Sequence, residues 1–375
     1  MRAFKVIAIV LAALAAALCA GCAQFDYYLQ AAQGQFALLA DARPIDAWLA
    51  DPAVTEKLKL RLAKVREIRR YAALELGLPD NASYKNYADL KRPFVLWNIV
   101  ATPELSMQTQ RWCFPIAGCV NYRGYYNKQD AQNYAAELRR SGFDVQVAGV
   151  AAYSTLGWFN DPVLSTFIQY PDGELARLVF HELAHQVAYA IDDTQFNESF
   201  ATAVEEIGVE RWMATQADPQ TRQKYTEFEG RKRDFLNLLL AYRRRLENNY
   251  VRAVSDNDKR AEKVRIFQSL QSDYQQLKIS WGGYTGYDRW FAEPLSNAHL
   301  AAVAAYHDYV PAFRALLSEK KSLRKFYAAV KVMAALDPSA RKAQLALLSR
   351  NASLASIDTA ALQQRTQNHL GNKFP

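Results

Sequence analysis

Residues 178–187 read Leu-Val-Phe-His-Glu-Leu-Ala-His-Gln-Val, and Asn197-Glu198 follow after a short interval. Side chains four apart on an α-helix project from one face. His181 and His185 can therefore grip one ion, with Glu182 between them tilted toward its remaining open position. The flanking Leu178, Val179, Leu183, Ala184, Gln186 and Val187 carry no charge, as a buried helix requires. The run from Glu174 to Ala190 predicts one helix, with Asp172 as N-cap and Glu174 in the first turn. The chain has five histidines, and two of them fall here.

Zinc is the metal this donor set suits. A catalytic zinc takes three protein ligands and keeps a place for water, so two histidines need a third partner. Asp192-Asp193-Thr194 can turn the chain into a second helix from Gln195 to about Ala214, with Phe200, Ala203, Val204 and Ile207 on its core face. Glu198 lies in its first turns and is the expected third ligand. Asp193 and Glu205 are lesser candidates. Glu205 is two turns beyond Glu198 and is placed to orient a histidine. Read without a metal, two histidines and a carboxylate on one uncharged face are a costly burial.

The start of the chain reads as a leader. Arg2 and Lys5 precede an apolar run over 6–18, shorter than the roughly 20 residues of a spanning helix. Leu18-Cys19-Ala20-Gly21-Cys22 fits a bacterial lipoprotein signal, with residues 1–21 removed and Cys22 acylated. Ordinary secretion and an uncleaved anchor are the alternatives. Ala23-Gln24 points to the outer membrane, facing the periplasm. That compartment is oxidising, so Cys113 and Cys119 are expected to close a disulfide. Metal ligation is the competing role, without a nearby histidine or C-x-x-C pair. The net charge of +8 sits partly in Arg231-Lys232-Arg233 and Arg243-Arg244-Arg245, read as a solvated helix face. Nucleic acid is not an expected partner of a secreted lipoprotein, and no protein partner is assigned.

Helical periodicity dominates the rest. Helices are expected over 54–76 and 128–141. Strands are expected over 94–100, 120–126 and 143–150, making a small sheet before the metal helix. Residues 219–247 and 256–278 form a long helical hairpin. Phe228, Phe235, Leu239, Tyr242 and Leu246 are expected to face Val264, Phe267, Leu270, Tyr274 and Leu277. The loop from Trp281 to Tyr287 is a turn that also offers Tyr284 or Tyr287 as an oxyanion donor. His299 and His307 read as surface or capping residues, and either also offers a donor to an oxyanion. Helices resume near Pro294, Ser322 and Pro338, and 365–375 is a polar tail.

His-Glu-Leu-Ala-His with Asn197-Glu198-Ser199-Phe200-Ala201 resembles the gluzincin metallopeptidases. The mature chain over roughly 22–350 is similar to a bacterial family of lipoprotein-type, zinc-dependent aminopeptidases. The features that carry this are Tyr27-Tyr28 with Gly34-Gln35, Cys113-Phe114, Gly118-Cys119 with Tyr122-Arg123-Gly124-Tyr125, Ala152 to Phe159, and Asn297-Ala298 with Pro311-Ala312-Phe313. Two departures stand out. The interval before Glu198 is shorter than in most gluzincins, and Thr202 stands where many place an acidic residue.

The resemblance implies an α+β, predominantly α-helical, zincin-like fold, with residues 22–375 as a single domain. It also implies a peptide substrate and hydrolysis with Glu182 as general base. Val145 to Tyr153 is expected to run as an edge strand beside the cleft. Two other readings stay open at this point. One is a metalloendopeptidase. The other is a non-catalytic envelope lipoprotein whose zinc is structural and whose basic hairpin docks a partner.

Overall fold

The computed structural model describes residues 25–114 and 118–351. The leader, Cys22 and the tail beyond Arg365 lie outside the described residues. The fold is α+β and predominantly helical. Helix α1 spans 25–40. It is followed by β1 (Arg43–Pro44), α2 (Ile45–Ala50), α3 (Glu56–Leu74), β2 (Asn86–Ala88) and β3 (Leu96–Pro103). Then come β4 (Trp112–Phe114), β5 (Gly118–Val120), β6 (Arg123–Tyr125), α4 (Lys128–Arg140), β7 (Phe143–Val150) and β8 (Val163–Leu164). The remainder is helical: α5 (Asp172–His185), α6 (Thr194–Gln216), α7 (Pro219–Tyr250), α8 (Asp256–Ser280), α9 (Asp288–Phe291), α10 (Asn297–His307), α11 (Val310–Lys320) and α12 (Leu323–Ala334). A last helix, α13, occupies 338–351.

The strands form three small sheets where the periodicity suggested one. β3 is the centre of an antiparallel β6-β3-β7 sheet, so β7 is an edge strand there. β2 pairs with β1 and, in parallel, with β8. The expected strand 120–126 is two pieces. β5 pairs back onto β4, β6 pairs with β3, and Asn121-Tyr122 turns between them. The period of two sorts the faces of β3. Trp97, Ile99 and Ala101 bury against Ala131 and Ala135 of α4, while Leu96 and Asn98 face the opposite way and line a cavity.

The largest core gathers Leu62, Val65 and Ile68 of α3, Phe180 and Leu183 of α5, Phe200 of α6, Phe313 of α11 and Phe326 of α12. Phe200 meets Phe313 and Phe326 at centroid distances of 5.6 and 6.0 Å, in the aromatic range that adds to area burial. Gly208 lets α6 approach α5. A Cβ there would stand 2.7 Å from the Phe180 ring and 2.8 Å from Leu76.

The hairpin α7–α8 forms a separate core with a shifted phase. Phe235, Leu239, Tyr242 and Leu246 are buried as expected, facing Leu270 and Tyr274. Ile266 fills the place expected for Val264, which is exposed. Phe228 packs beside Tyr225 instead. Among the described residues, no helix is long and apolar enough to cross a membrane.

Candidate metal centre

Arg61 of α3 fixes the start of α5. Its guanidinium donates to the carbonyls of Ile168 (2.9 Å) and Tyr170 (2.5 Å) and to the Asp172 carboxylate (2.5 Å). Pro171 takes the N-cap position expected of Asp172, which becomes the first helical residue. The helix ends at His185 rather than continuing to Ala190. Gln186 leaves it to bond Asn81 (2.6 Å) and Ser83 (3.2 Å).

The turn from α5 to α6 is then locked from two sides. Asn197 accepts from the Ala190 N–H (2.7 Å) and donates to the Ala190 carbonyl (2.8 Å). One amide thereby satisfies both backbone groups of a buried residue. Asp193 caps α6 through the Phe196 N–H (3.0 Å) and pairs with Arg341 (2.8 Å). It is therefore a structural residue of the turn.

The third clamp is the β4–β5 hairpin. Cys113 and Cys119 form a disulfide across it. The Cys119 N–H donates to the Asp192 carboxylate (2.5 Å), and Arg111 donates to the Asp192 carbonyl (2.9 Å). Asp192 has φ 66°, a left-handed conformation that Asp tolerates better than most residues. Gly118 has φ +71°, and a Cβ there would lie 2.5 Å from the Asp192 carboxylate. Glycine is required on both counts.

These devices bring His181, His185 and Glu198 together, all buried. His185 Nε2 is 3.2 Å from His181 Nε2, and Glu198 Oε2 is 3.3 Å from His181 Nε2 and 3.6 Å from His185 Nε2. A tetrahedral ion with ligands at about 2.0–2.1 Å holds its donors about 3.3 Å apart. The donor set therefore fits zinc in spacing and in chemistry. His181 Nδ1 lies 2.7 Å from Glu205 Oε2, and Arg177 holds the other Glu205 oxygen at 2.9 Å. The Glu205 carboxylate only accepts, so Nδ1 carries the proton and Nε2 presents its lone pair to the ion. Glu205 thus orients His181, while the Thr202 hydroxyl is buried without a partner.

The electrostatics agree with that arrangement. Burial works against the Glu198 carboxylate, yet the His185 and His181 rings beside it hold it down to about 2. Burial also opposes charge on His181, yet Glu198 and Glu205 push its ring up to about 10, so the carboxylates favour a cation at this place, whether a proton on Nε2 or a metal in its stead. Two carboxylates and two imidazoles are thus poised around a centre that wants positive charge.

Glu182 stands apart from the ligands. It is buried, lines the cavities on both sides of α5, and accepts no hydrogen bond among the described residues. Burial raises its pKa, with the histidines pulling the other way. The first cavity, about 190 Å³, is walled by Leu96 and Asn98 of β3, the chain leaving β7 (Val150 to Ser154), and Tyr122 and Tyr189. Tyr122 lies in the turn between β5 and β6. Its hydroxyl makes no hydrogen bond among the described residues, and burial with Glu198 nearby drives its pKa upward. In the sequence it stands out only as part of the Tyr122-Arg123-Gly124-Tyr125 resemblance, which assigns it no role.

Other expected residues lie elsewhere. Tyr284 stacks against Arg231 (4.5 Å) beside Trp281, and Tyr287 lies on Phe235 (4.0 Å). Neither lines the cavities at Glu182. His299 is buried, and it takes the capping role at the start of α10. Its ring accepts from the Ser296 N–H at 3.2 Å. His307 faces a cavity instead of solvent.

Asp161 supports the cavity wall from behind. It is 4% exposed, and burial pushes its carboxyl up to about 6 although Thr155 donates through N–H (2.9 Å) and Oγ1 (2.7 Å). A carboxyl raised from its usual 3.8 is penalised when ionised. Its stabilising contribution is complete below pH 4 and is lost as pH rises through 6. Asp161→Asn should therefore gain about 3 kcal/mol on the wild type between pH 4 and pH 7. Denaturant unfolding of both proteins at the two pH values checks it. A constant difference would mean that Asp161 does not titrate in this range.

No curated protein and no solved structure matches the chain. A family model described as "Putative aminopeptidase" matches residues 26–345, nearly the whole of the described chain, and the protein belongs to that family of peptidases.

Proposed function

We propose that this is a zinc-dependent peptidase of the bacterial cell envelope, lipid-anchored through Cys22 at the periplasmic face of the outer membrane. The observation that carries the chemistry is the His181–His185–Glu198 ligand set with the unbonded Glu182 carboxylate beside it. Zinc, when bound, supplies Lewis acidity toward water and toward a scissile carbonyl. Glu182 takes the proton from the attacking water and returns it to the leaving amine. Tyr122 offers its free hydroxyl to the carbonyl oxygen as charge develops there. Asn98 has a buried, unpartnered Oδ1 facing the same cavity. With the edge of β7 it would receive an extended peptide backbone.

A structural zinc needs a fourth protein ligand. Among the described residues the group contains three. This favours catalysis over the scaffold reading. The endopeptidase reading has one observation in its favour. The carboxylates lining the two cavities are Glu182, Glu198 and Glu205. All three have the roles given above, which leaves none to anchor a free amine.

Purified protein is expected to hold about one zinc per chain. Its hydrolysis of unblocked peptides should stop on chelation and return with zinc. N-acetylated versions of the same peptides decide the class. Cleavage confined to free amines supports an aminopeptidase, and cleavage of both supports an endopeptidase. Turnover that persists without metal would remove the zinc mechanism.

A further inference from the structure

A second cavity of about 280 Å³ lies on the other side of His181 and Glu182. Its walls come from Ala151 and Ala152 beyond β7, from Thr202 and Glu205 of α6, from Lys232 of α7 and from His307 of α10. Lys232 and His307 also line a groove of about 770 Å³ that runs between α6 and α7. They therefore stand where that groove meets the space beside Glu182.

The polar groups facing this cavity divide into committed and uncommitted ones. Arg177 spends its N–H groups on Glu174 (3.0 and 2.8 Å) and Glu205 (2.9 Å). Glu205 is held by Arg177 and His181. Lys232 differs. Its Nζ is 3.5 Å from Glu229 and 3.9 Å from Glu205, and it makes no hydrogen bond among the described residues. Charged pairs in full contact stand at about 2.7–2.9 Å. The side chain is only 17% exposed, so water has limited access to its ammonium. Thr202 Oγ1 is buried with no partner. His307 makes no hydrogen bond among the described residues, and burial, reinforced by Lys232, holds its ring down to about 4. A cation held only in two long ion pairs, a hydroxyl and a neutral imidazole thus converge on one space, all able to donate and none hydrogen-bonded among the described residues.

We propose that this cavity is an anion subsite that takes a carboxylate of the substrate, with Lys232 as its counter-ion and Thr202 and His307 as hydrogen-bond partners. The part of this that concerns peptides rests on the peptidase reading above. A carboxylate suits three donors in a space of this size, and its charge is opposed by an ammonium with limited access to water, where attraction is stronger than in water. Two sources supply the group: the C-terminal carboxylate of a short peptide, or an acidic side chain near the scissile bond. Substrates would then be selected by negative charge on one side of Glu182.

The test begins with the zinc-loaded full chain and a probe that needs no turnover. Glutarate and its neutral analogue glutaramide are titrated calorimetrically. Glutarate is expected to bind at least about tenfold more tightly. Lys232→Met should erase that preference and Lys232→Arg should keep it. Thr202→Val should weaken glutarate severalfold and serves if Lys232→Met folds poorly. Equal glutarate affinity in the wild type and Lys232→Met means that zinc alone holds the probe, and overturns the subsite.

Three peptides then separate the sources: tetra-alanine as free acid, tetra-alanine amide, and Ala-Ala-Glu-Ala amide. Faster cleavage of the free acid assigns the C-terminal carboxylate, and faster cleavage of the glutamyl peptide assigns the side chain. Cleavage of all three at one rate overturns the subsite and leaves the peptidase reading standing. A Lys232-dependent glutarate preference in a protein that cleaves no peptide keeps the subsite and overturns the peptidase reading.

Discussion

Glu182→Gln should lower kcat on any cleaved peptide by about 10²–10⁴-fold, the usual contribution of a positioned general base. Zinc content should not change, because Glu182 is outside the ligand group. The expectation rests on a contrast within one helix turn. His181 and His185 face each other at 3.2 Å, while the carboxylate between them bonds nothing among the described residues and opens onto both cavities. Gln keeps the size and removes the basicity. Because that carboxylate is buried and its pKa raised, the substitution should not destabilise the fold. Single-turnover kinetics with metal analysis on the same sample decide it. Full turnover by the variant would mean that another group takes the proton.

Glu198→Ala should cost zinc at least about 100-fold in affinity, the upper end of what loss of a mere orienting partner costs. Glu198 is the anionic member of the ligand set and lies within 3.6 Å of both histidine nitrogens. Competition with a chelating dye measures the loss. Glu205→Gln is the informative companion. Glu205 touches the far side of His181 through Nδ1, so its loss should weaken zinc by about 10–100-fold without removing a ligand. Unchanged affinity in Glu198→Ala would transfer the third ligand to another carboxylate.

The chemistry of this site is legible because it is local. His181, Glu182, His185 and Glu198 come from one stretch, and helical geometry alone puts the first three on one face. The Asn197-Glu198 pair is visible as letters, but its use of Asn197 to hold Ala190 is not. The end of α5 is misplaced for a related reason. Residues 186–190 carry no Gly or Pro to stop a helix. Asn197 holds the chain out of the helix by bonding both backbone groups of Ala190.

The sheets show the same limit. β2 and β8 pair across more than seventy residues of chain, and two-residue strands leave no periodic trace. Residues 120–126 alternate convincingly as a strand, yet the turn at Tyr122 sends the two halves to different partners and leaves Tyr122 at the cavity. In the hairpin the periodicity is right and the phase is off by two at Ile266. A helix with several apolar residues on adjacent stripes leaves the choice of stripe to its neighbour. Lys232 is the sharpest case. Within Arg231-Lys232-Arg233 it reads as one of three solvated cations, and only the packing of α7 against α10 turns it inward.

The placement of the ligands also separates two stages in the making of the enzyme. All three proposed ligands lie between residues 181 and 198, on neighbouring helices joined by one short turn. Pairings of such low sequence separation are quick to form. The cavity walls come from β3, Tyr122 and the end of β7, thirty to eighty residues earlier in the chain, and must await slower, longer-range pairing. An ion can thus be captured by a helical pair before a substrate has anywhere to sit. A chain with a damaged sheet would be born metallated and idle.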